Sequence, residues 1–295
     1  MRPGLWTGFF LLHQGPVLEN AFALLSRAGF SVCELDERSA ASLLLGRPDW
    51  EDSLAALVRL SSESGVQVTQ MHAPAPSADI GKQKSDIEIL ARSCEVLGCR
   101  TLVIHPFTGR ERGEPKISRA GEWTSFWGAL FKENLEMLSV CARTAEDRGV
   151  RLALENQIDA KGPGGRWTGG HPADMERFFD QIPSLGLNLD TAHACAQGLD
   201  IPSLISWAGS RLYGLHVSDS DGRVHDYHIM PGKGVLPWTE IMGALKKSGY
   251  AGDFHMELVH ERSEDPSLSA AAAMEAKQTA ENLLGIYAGS GGDAC

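Results

Sequence analysis

The sequence has six cysteines but no C-x-x-C pair, so neither a thiolate zinc site nor a disulfide framework is expected. It also lacks an unbroken apolar run of about 18 residues, which argues against a transmembrane helix and a membrane partner. Basic residues are few, since 27 Lys and Arg stand against 38 Asp and Glu and the formal net charge is -11. A nucleic-acid-binding chain usually needs a basic face, so DNA and RNA are disfavoured as partners. The scattered cysteines fit a reducing cytosol best, so a cytoplasmic protein is expected.

A phosphate-binding P-loop is absent as well. The glycine-rich stretch 157–171 lacks the G-K-[ST] ending of such a loop. Two interpretations of this stretch remain open. It is either a lid with Arg166 and Trp167 facing a substrate, or a plain surface loop.

What the chain does contain is a repeated unit: a short apolar run ending in a polar residue, followed by a helical stretch. Near-continuous apolar runs are typical of parallel strands that are buried on both faces. The runs span residues 4–10, 30–36, 66–72, 101–106, 150–156, 185–190, 212–219 and 252–258.

The intervening stretches have helical periodicity. Residues 85–98, 129–149 and 238–249 place apolar side chains three and four apart, and each stretch ends at a glycine. Eight alternating βα units predict an α/β protein with a single (β/α)8 barrel domain over residues 1–295. An open, doubly wound parallel sheet is the alternative fold.

Polar residues end seven of the eight predicted strands. In a barrel, the carboxyl ends of all strands meet at one face, where active sites are built. Any one of these side chains could simply cap a neighbouring helix, but matching positions on seven strands favour a shared site. The residues are Glu34, His72, His105, Glu155, Asp190, His216 and Glu257.

Carboxylates and imidazoles without thiolates suit a divalent metal, with Mn or Zn preferred and Mg, Co or Fe as alternatives. His193 follows Asp190 by three residues, a spacing that can return its ring to the same pocket. Asp226 and His228 are two apart, so an extended segment would point both to one side as further ligands or substrate contacts. Asp219 is either a turn residue or a support behind a ligand. The compact N/O site predicted here consists of Glu155, Asp190, His216 and Glu257.

Seven short segments are distinctive when they are taken together. They are MHAP (71–74), VIHP (103–106), LALEN (152–156), LNLDTAHA (187–194), LHVSDSDG (215–222), DYHIMPGKG (226–234) and FHMEL (254–258). Together they cover most of the chain from Glu34 onwards. They resemble the xylose-isomerase-like barrel superfamily, in its branch of sugar phosphate isomerases/epimerases and AP endonuclease IV.

The resemblance implies a (β/α)8 barrel with metal at its C-terminal mouth. Epimerase-type members hold one metal with residues that match Glu155, Asp190, His216 and Glu257. The endonuclease type holds three zinc ions. In that type, His72 and His105 would join Glu155 on one ion, and His193, Asp226 and His228 would hold another.

The sequence therefore favours a metal-dependent isomerase or epimerase of a small sugar or keto-sugar. Glu155 and Glu257 would exchange protons on either side of an enediolate. A trinuclear-zinc phosphodiesterase is one alternative, and a metal-dependent lyase (an inosose-type dehydratase or keto-glycoside eliminase) is another. Glu34 is either a substrate contact or a hydrogen-bonding partner of a barrel neighbour. Barrels of this kind often pair, so a homodimer or homotetramer is expected.

Overall fold

Eight parallel strands form the centre of the protein. The computed structural model describes residues 1–11, 18–107, 120–158, 169–223, 228–259 and 266–289. The strands are β1 (Pro3–Trp6), β2 (Val32–Leu35), β3 (Gln67–His72), β4 (Thr101–Ile104), β5 (Arg151–Glu155), β6 (Gly186–Asp190), β7 (Leu212–His216) and β8 (Phe254–Met256). Their order in the sheet is β7-β6-β5-β4-β3-β2-β1-β8, so each strand pairs with its neighbours in sequence.

The two end strands of this sheet meet and nearly close the barrel. Val217, directly after β7, forms a parallel bridge with Met256 of β8. Its N–H donates to the His255 carbonyl at 2.8 Å, and its carbonyl accepts from the Glu257 N–H at 3.2 Å. An open doubly wound sheet would leave β7 and β8 as separate edges, so the predicted barrel is confirmed and the alternative fold is wrong.

Helices follow the strands and cover the outside of the barrel. They are α1 (Gly8–Leu11), α2 (Leu18–Arg27), α3 (Glu37–Leu44), α4 (Trp50–Ser64), α5 (Ile80–Leu97), α6 (Ala120–Glu146), α7 (Pro172–Gln181), α8 (Thr191–Ala196), α9 (Ile201–Ala208), α10 (Trp238–Ser248) and α11 (Pro266–Gly289). Within the described part of the chain, none of them is both long and apolar enough to cross a bilayer.

The three helices expected from periodicity are present as α5, α6 and α10. Two of them end where the sequence places a glycine. Gly98 after α5 and Gly249 after α10 adopt the left-handed conformation, with φ of 70° and 72°. A residue with a Cβ is disfavoured there, and the reversed backbone lets the last carbonyls of the helix accept hydrogen bonds.

The first strand is shorter than expected. The apolar run 4–10 predicted one strand, but β1 ends at Trp6 and residues from Gly8 onwards form the short helix α1. Phe9 and Phe10 are both buried, so either conformation would place these apolar side chains in the core. The chain leaves the sheet after Thr7, whose N–H still donates to the Glu34 carbonyl next to β2 at 2.9 Å. The helical turn is then stabilised by the Phe10 N–H, which donates to the Thr7 carbonyl at 3.2 Å.

The barrel interior carries a polar layer beneath its C-terminal mouth. Gln70 Nε2 donates to Glu34 Oε2 at 3.1 Å and to Asn188 Oδ1 at 3.2 Å, and all three side chains are buried. Room for them comes from Gly214 on β7, where an added Cβ would lie 2.4 Å from Asn188 Oδ1 and 2.5 Å from Gln70 Oε1. A strand glycine is thus needed for a close side-chain approach.

Candidate metal centre

The four predicted ligands meet at the C-terminal mouth of the barrel. Glu155, Asp190 and His216 are the last residues of β5, β6 and β7, and Glu257 directly follows β8. Each offers one ligand atom, and these four atoms all lie within 4.8 Å of one another. Convergence of consecutive strand ends therefore builds the cluster from residues that are far apart in sequence.

His216 stands at the middle of this cluster. Its Nδ1 lies 2.8 Å from Glu257 Oε2, 3.4 Å from Glu155 Oε2 and 4.0 Å from Asp190 Oδ2. Yet His216 Nδ1, Asp190 Oδ2 and Glu257 Oε2 are all buried, and among the described residues none of the three makes a hydrogen bond of acceptable geometry. Buried polar atoms are nearly always satisfied, so three such atoms facing one another fit a bound cation that they would share.

Asp190 is oriented by the helix that it begins. Its Oδ1 caps α8 by accepting from the His193 N–H at 2.7 Å, which leaves Oδ2 for the cluster. Asn156 holds the Asp190 backbone from the neighbouring strand. The Asn156 side chain accepts from the Asp190 N–H at 2.8 Å and donates to the Asp190 carbonyl at 3.0 Å. Both strand ends are thereby held in register.

The buried negative charge of the site is compensated only by histidines among the described residues. Ion pairs join its carboxylates to imidazoles, and none involves Lys or Arg in the ranges that the structure describes. Burial raises the pKa of Asp190 to about 6. Burial also acts to raise the pKa of Glu257, but His216 and His228 outweigh it and the pKa falls to about 2. Buried carboxylates this close together need positive charge to balance them, which a bound divalent cation would supply.

His72 and His105 both approach the same oxygen of Glu155. Their Nε2 atoms lie 3.1 Å and 3.0 Å from Glu155 Oε2. His72 Nδ1 is also 2.7 Å from the Ala73 carbonyl. A carbonyl and a carboxylate both accept, so His72 donates from both nitrogens and is an imidazolium. Burial alone would lower the pKa of His72, but Glu155 offsets this and raises it to about 9.

His193 and His228 form a second cluster with Asp190. Asp190, His193 and His228 can also offer ligand atoms within 4.8 Å of one another, as can His72, Glu155 and His216. His193 Nδ1 lies 2.9 Å from the Asn156 carbonyl and 3.2 Å from Glu155 Oε1. The carboxylate of this cluster is Asp190, whereas the resemblance implied Asp226. Asp226 lies outside the described residues, and so do Arg166 and Trp167.

Asp219 neither faces the metal cluster nor lies in solvent. It is completely buried and organises the loop after β7. Its Oδ2 accepts from Gly232 N–H and Trp238 Nε1–H, both at 2.8 Å, and its Oδ1 accepts from Leu236 N–H at 3.0 Å. Its backbone also pairs with Ile229. Because Ile229 follows His228, Asp219 fixes the loop that carries this histidine.

Two residues of the site were not anticipated from the sequence. Asn156 links Glu155 to Asp190, and Ser218 places its hydroxyl 3.0 Å from His228 Nδ1. Asn156 directly follows the proposed ligand Glu155, and Ser218 is two positions after the proposed ligand His216. Polar residues just past a strand end were therefore a usable signal for the surrounding support.

The residues present fit a divalent cation with nitrogen and oxygen ligands, such as manganese or zinc. Fold and site together define a (β/α)8 barrel with a candidate metal centre at the carboxyl ends of its strands. The chain belongs to the family described as xylose isomerase-like TIM barrel, whose profile matches residues 22–281.

Sequence relatives include sugar isomerases and epimerases. The inosose isomerase of Bacillus subtilis is 26% identical over 213 residues, which is 67% of this chain and 67% of the relative. A fructoselysine 3-epimerase of Escherichia coli is 34% identical over 151 residues, covering 50% of this chain and 52% of that protein.

The fold is shared with solved structures over nearly the whole chain. A D-tagatose 3-epimerase-like protein superposes with a TM-score of 0.75 at 19% identity, covering 98% of this chain and 99% of that one. At this level of identity the likeness shows the common barrel fold.

Proposed function

We propose that this protein is a divalent-metal-dependent isomerase or epimerase of a small sugar or keto-sugar. One observation carries the proposal: Glu155 and Glu257, from strands three positions apart in the barrel, flank His216 Nδ1 at 3.4 Å and 2.8 Å. Two carboxylates beside a cation site are the groups that proton exchange next to a carbonyl requires. The sequence relatives that act as an inosose isomerase and a fructoselysine 3-epimerase support this reaction class.

Glu155, Asp190, His216 and Glu257 would hold the metal. A divalent ion at this position would supply a Lewis acid that polarises a substrate carbonyl and its neighbouring hydroxyl. The carboxylates also lower the cost of placing that charge in a buried site, because no Lys or Arg of the described residues competes for them.

Proton transfer is divided between the two glutamates. Glu257 removes the proton next to the carbonyl through Oε2, which accepts no hydrogen bond from any described residue, and 16% of its side chain is exposed at the mouth. Glu155, only 2% exposed, passes a proton from the His72 imidazolium, whose Nε2 lies 3.1 Å from its Oε2, to the other side of the resulting enediolate. His105 touches Glu155 and is 32% exposed, so it connects this buried carboxyl with solvent for the next turnover.

Isotope exchange tests this assignment. The metal-loaded protein is incubated in D2O with a panel of ketohexoses, ketopentoses and keto-inositols, and products are analysed by NMR and mass spectrometry. We expect one substrate class to be converted with one deuterium at the carbon next to the carbonyl. Glu155→Gln and Glu257→Gln should each lower turnover by about 100-fold or more, while the exposed control Glu63→Gln should not change it.

The outcomes separate the alternatives. Turnover that persists in both glutamine variants would contradict the acid–base assignment. Conversion with loss of water or of an aglycone, seen as a mass decrease in the same assay, would replace the isomerase by a lyase. No turnover of any sugar in the panel would count against sugar chemistry.

A trinuclear-zinc phosphodiesterase is the second candidate, because the described residues offer three overlapping ligand groups instead of one. Elemental analysis of protein purified without chelator distinguishes the two. About one ion per chain, manganese in particular, supports the sugar enzyme. Three zinc ions per chain, together with cleavage of abasic DNA, would support the phosphodiesterase and overturn the proposal.

A further inference from the structure

A cavity opens at the opposite end of the barrel from the candidate metal centre. Its volume is about 530 Å³, within the range typical of small-molecule sites. Its lining comes from the amino-terminal ends of the strands, whereas active sites of this fold are built at the carboxyl-terminal ends. Arg2 precedes β1, Arg100 precedes β4 and Arg151 begins β5, and all three line the cavity.

These arginines make the cavity a cationic concavity on a protein with a net charge of -11. Among the described residues that line it, Asp253 is the one acidic side chain, against the three arginines. It is held by Arg2, whose Nε and Nη2 donate to its two carboxylate oxygens at 2.9 Å and 2.8 Å. Two guanidinium groups therefore remain without a lining carboxylate.

Arg100 and Arg151 are neighbours across two strands. The Arg151 N–H donates to the Arg100 carbonyl at 2.9 Å, so their backbones are hydrogen-bonded side by side. The Arg151 guanidinium stands over the Tyr213 ring, 5.0 Å from its centroid, which restrains the group while leaving its edge for hydrogen bonding. Within the described residues no ion pair engages Arg100 or Arg151.

The remaining lining combines polar side chains without a formal charge with Met1, Gly98, Ala251 and Gly252. Thr69 Oγ1 and His255 Nε2 lie 3.0 Å apart, and Tyr250 and Gln70 also contribute. Gln70 belongs to the polar layer that contains Glu34, whose Oε1 contacts His216. That layer separates this cavity from the mouth, so the two are different sites.

We propose that this cavity is a binding site for the phosphate group of a small metabolite, with Arg100 and Arg151 as the paired anion-binding side chains. Guanidinium forks match phosphate oxygens in bidentate geometry, and two of them can share one phosphate. The hydroxyl and amide groups of the lining suit a polar, hydroxylated remainder of the ligand. The proposal does not depend on the reaction catalysed at the other end of the barrel.

Inorganic phosphate is the probe for this site. Calorimetric titration of the purified protein, in a buffer of constant ionic strength, should give a dissociation constant of about 1 mM or tighter. Arg100→Gln and Arg151→Gln should each weaken binding by about tenfold. Arg151→Lys keeps the charge but loses the fork, so it should weaken binding less than Arg151→Gln. The exposed Arg59→Gln serves as the matched control, and binding should remain within about twofold of wild type.

Two results would overturn the proposal. One is the absence of phosphate binding to the wild-type protein up to about 10 mM. The other is binding that both glutamine variants retain unchanged, which would place the anion elsewhere, for example at the metal centre. Arg100 is exposed and contacts no acidic partner in the described structure, so Arg100→Gln is expected to fold. A change in phosphate binding by this variant then reports on the site and not on unfolding.

Discussion

Glu34 Oε1 lies 2.9 Å from His216 Nε2, although 182 residues separate them in the chain. Both side chains are completely buried. In the neutral ring that binds a metal, donation from Nε2 to this carboxylate leaves the lone pair on Nδ1, the atom that faces Glu155, Asp190 and Glu257. Glu34 thus selects the tautomer of a candidate metal ligand and fixes its orientation.

Glu34→Gln should weaken metal binding. The amide can still occupy the position, but it no longer offers a charged acceptor to His216 Nε2, and it competes with Gln70 for partners. Supporting residues of this kind typically contribute about 10- to 100-fold to metal affinity. Competition with a chelator measures the loss, with Glu63→Gln as an exposed control that removes the same charge. An unchanged affinity for Glu34→Gln would contradict the orienting role.

Asp219→Asn should loosen the loop that carries His228. The substitution replaces one carboxylate oxygen with an amide nitrogen, which cannot accept a hydrogen bond. If Oδ2 is replaced, the hydrogen bonds from Gly232 N–H and Trp238 Nε1–H are lost; if Oδ1 is replaced, the hydrogen bond from Leu236 N–H is lost. A buried network broken in this way costs about 2–4 kcal/mol of unfolding free energy. Hydrogen exchange should rise around residues 228–236, and urea unfolding should show the loss of stability.

Asp221→Asn is the matched control for this change. Asp221 is exposed. Among the described residues, its Oδ1 accepts from the Arg223 N–H at 2.9 Å and its Oδ2 lies 3.6 Å from Arg223 Nε. The same chemical substitution two positions away should therefore leave both hydrogen exchange and the unfolding free energy close to wild type. Equal effects of the two variants would show that Asp219 has no special place in the loop.

Gly214→Ala should disturb the polar layer under the site. Its new Cβ would lie 2.4 Å from Asn188 Oδ1 and 2.5 Å from Gln70 Oε1, so Gln70 would shift away from Glu34. Overpacking of this kind costs about 1–3 kcal/mol in urea unfolding. Gly243→Ala on α10 meets no atom within 4 Å. That control should instead gain about 0.5–1 kcal/mol, because alanine is the better helix former.

The Arg2–Asp253 pair should make stability depend on pH. Burial acts to raise the pKa of Asp253, but the hydrogen bond from Arg2 outweighs it and holds the pKa below its usual value. A lowered pKa in the folded state contributes stability above the unfolded-state value of about 3.9, and this contribution is lost as the pH falls through the folded-state pKa.

Arg2→Gln should therefore lower the Tm at pH 7. The difference in Tm between this variant and wild type should become smaller as the pH falls below about 4. Thermal unfolding of both proteins across this range measures the difference. Arg59→Gln should show no such convergence. A gap between wild type and Arg2→Gln that stays constant at low pH would contradict the coupling to Asp253.

The strand ends were the most predictable part of the site. Glu155, Asp190 and His216 end apolar runs, and a parallel barrel has only one face where such ends can meet. The first strand was less predictable, because Gly8, Phe9 and Phe10 satisfy the core equally well as strand or helix. Only pairing with β2 through Thr7 decides between the two.

The sequence by itself determined the repeating units, and hence the barrel and the residues at its C-terminal mouth. This follows because hydrophobic periodicity and strand-end polar residues are local features of the chain. Tertiary structure alone decided which partner each side chain has: Glu34 with His216, Asn156 with Asp190, and Arg100 beside Arg151 at the far end. Those pairings depend on strand register and closure of the sheet, which bring together residues with no relation in sequence.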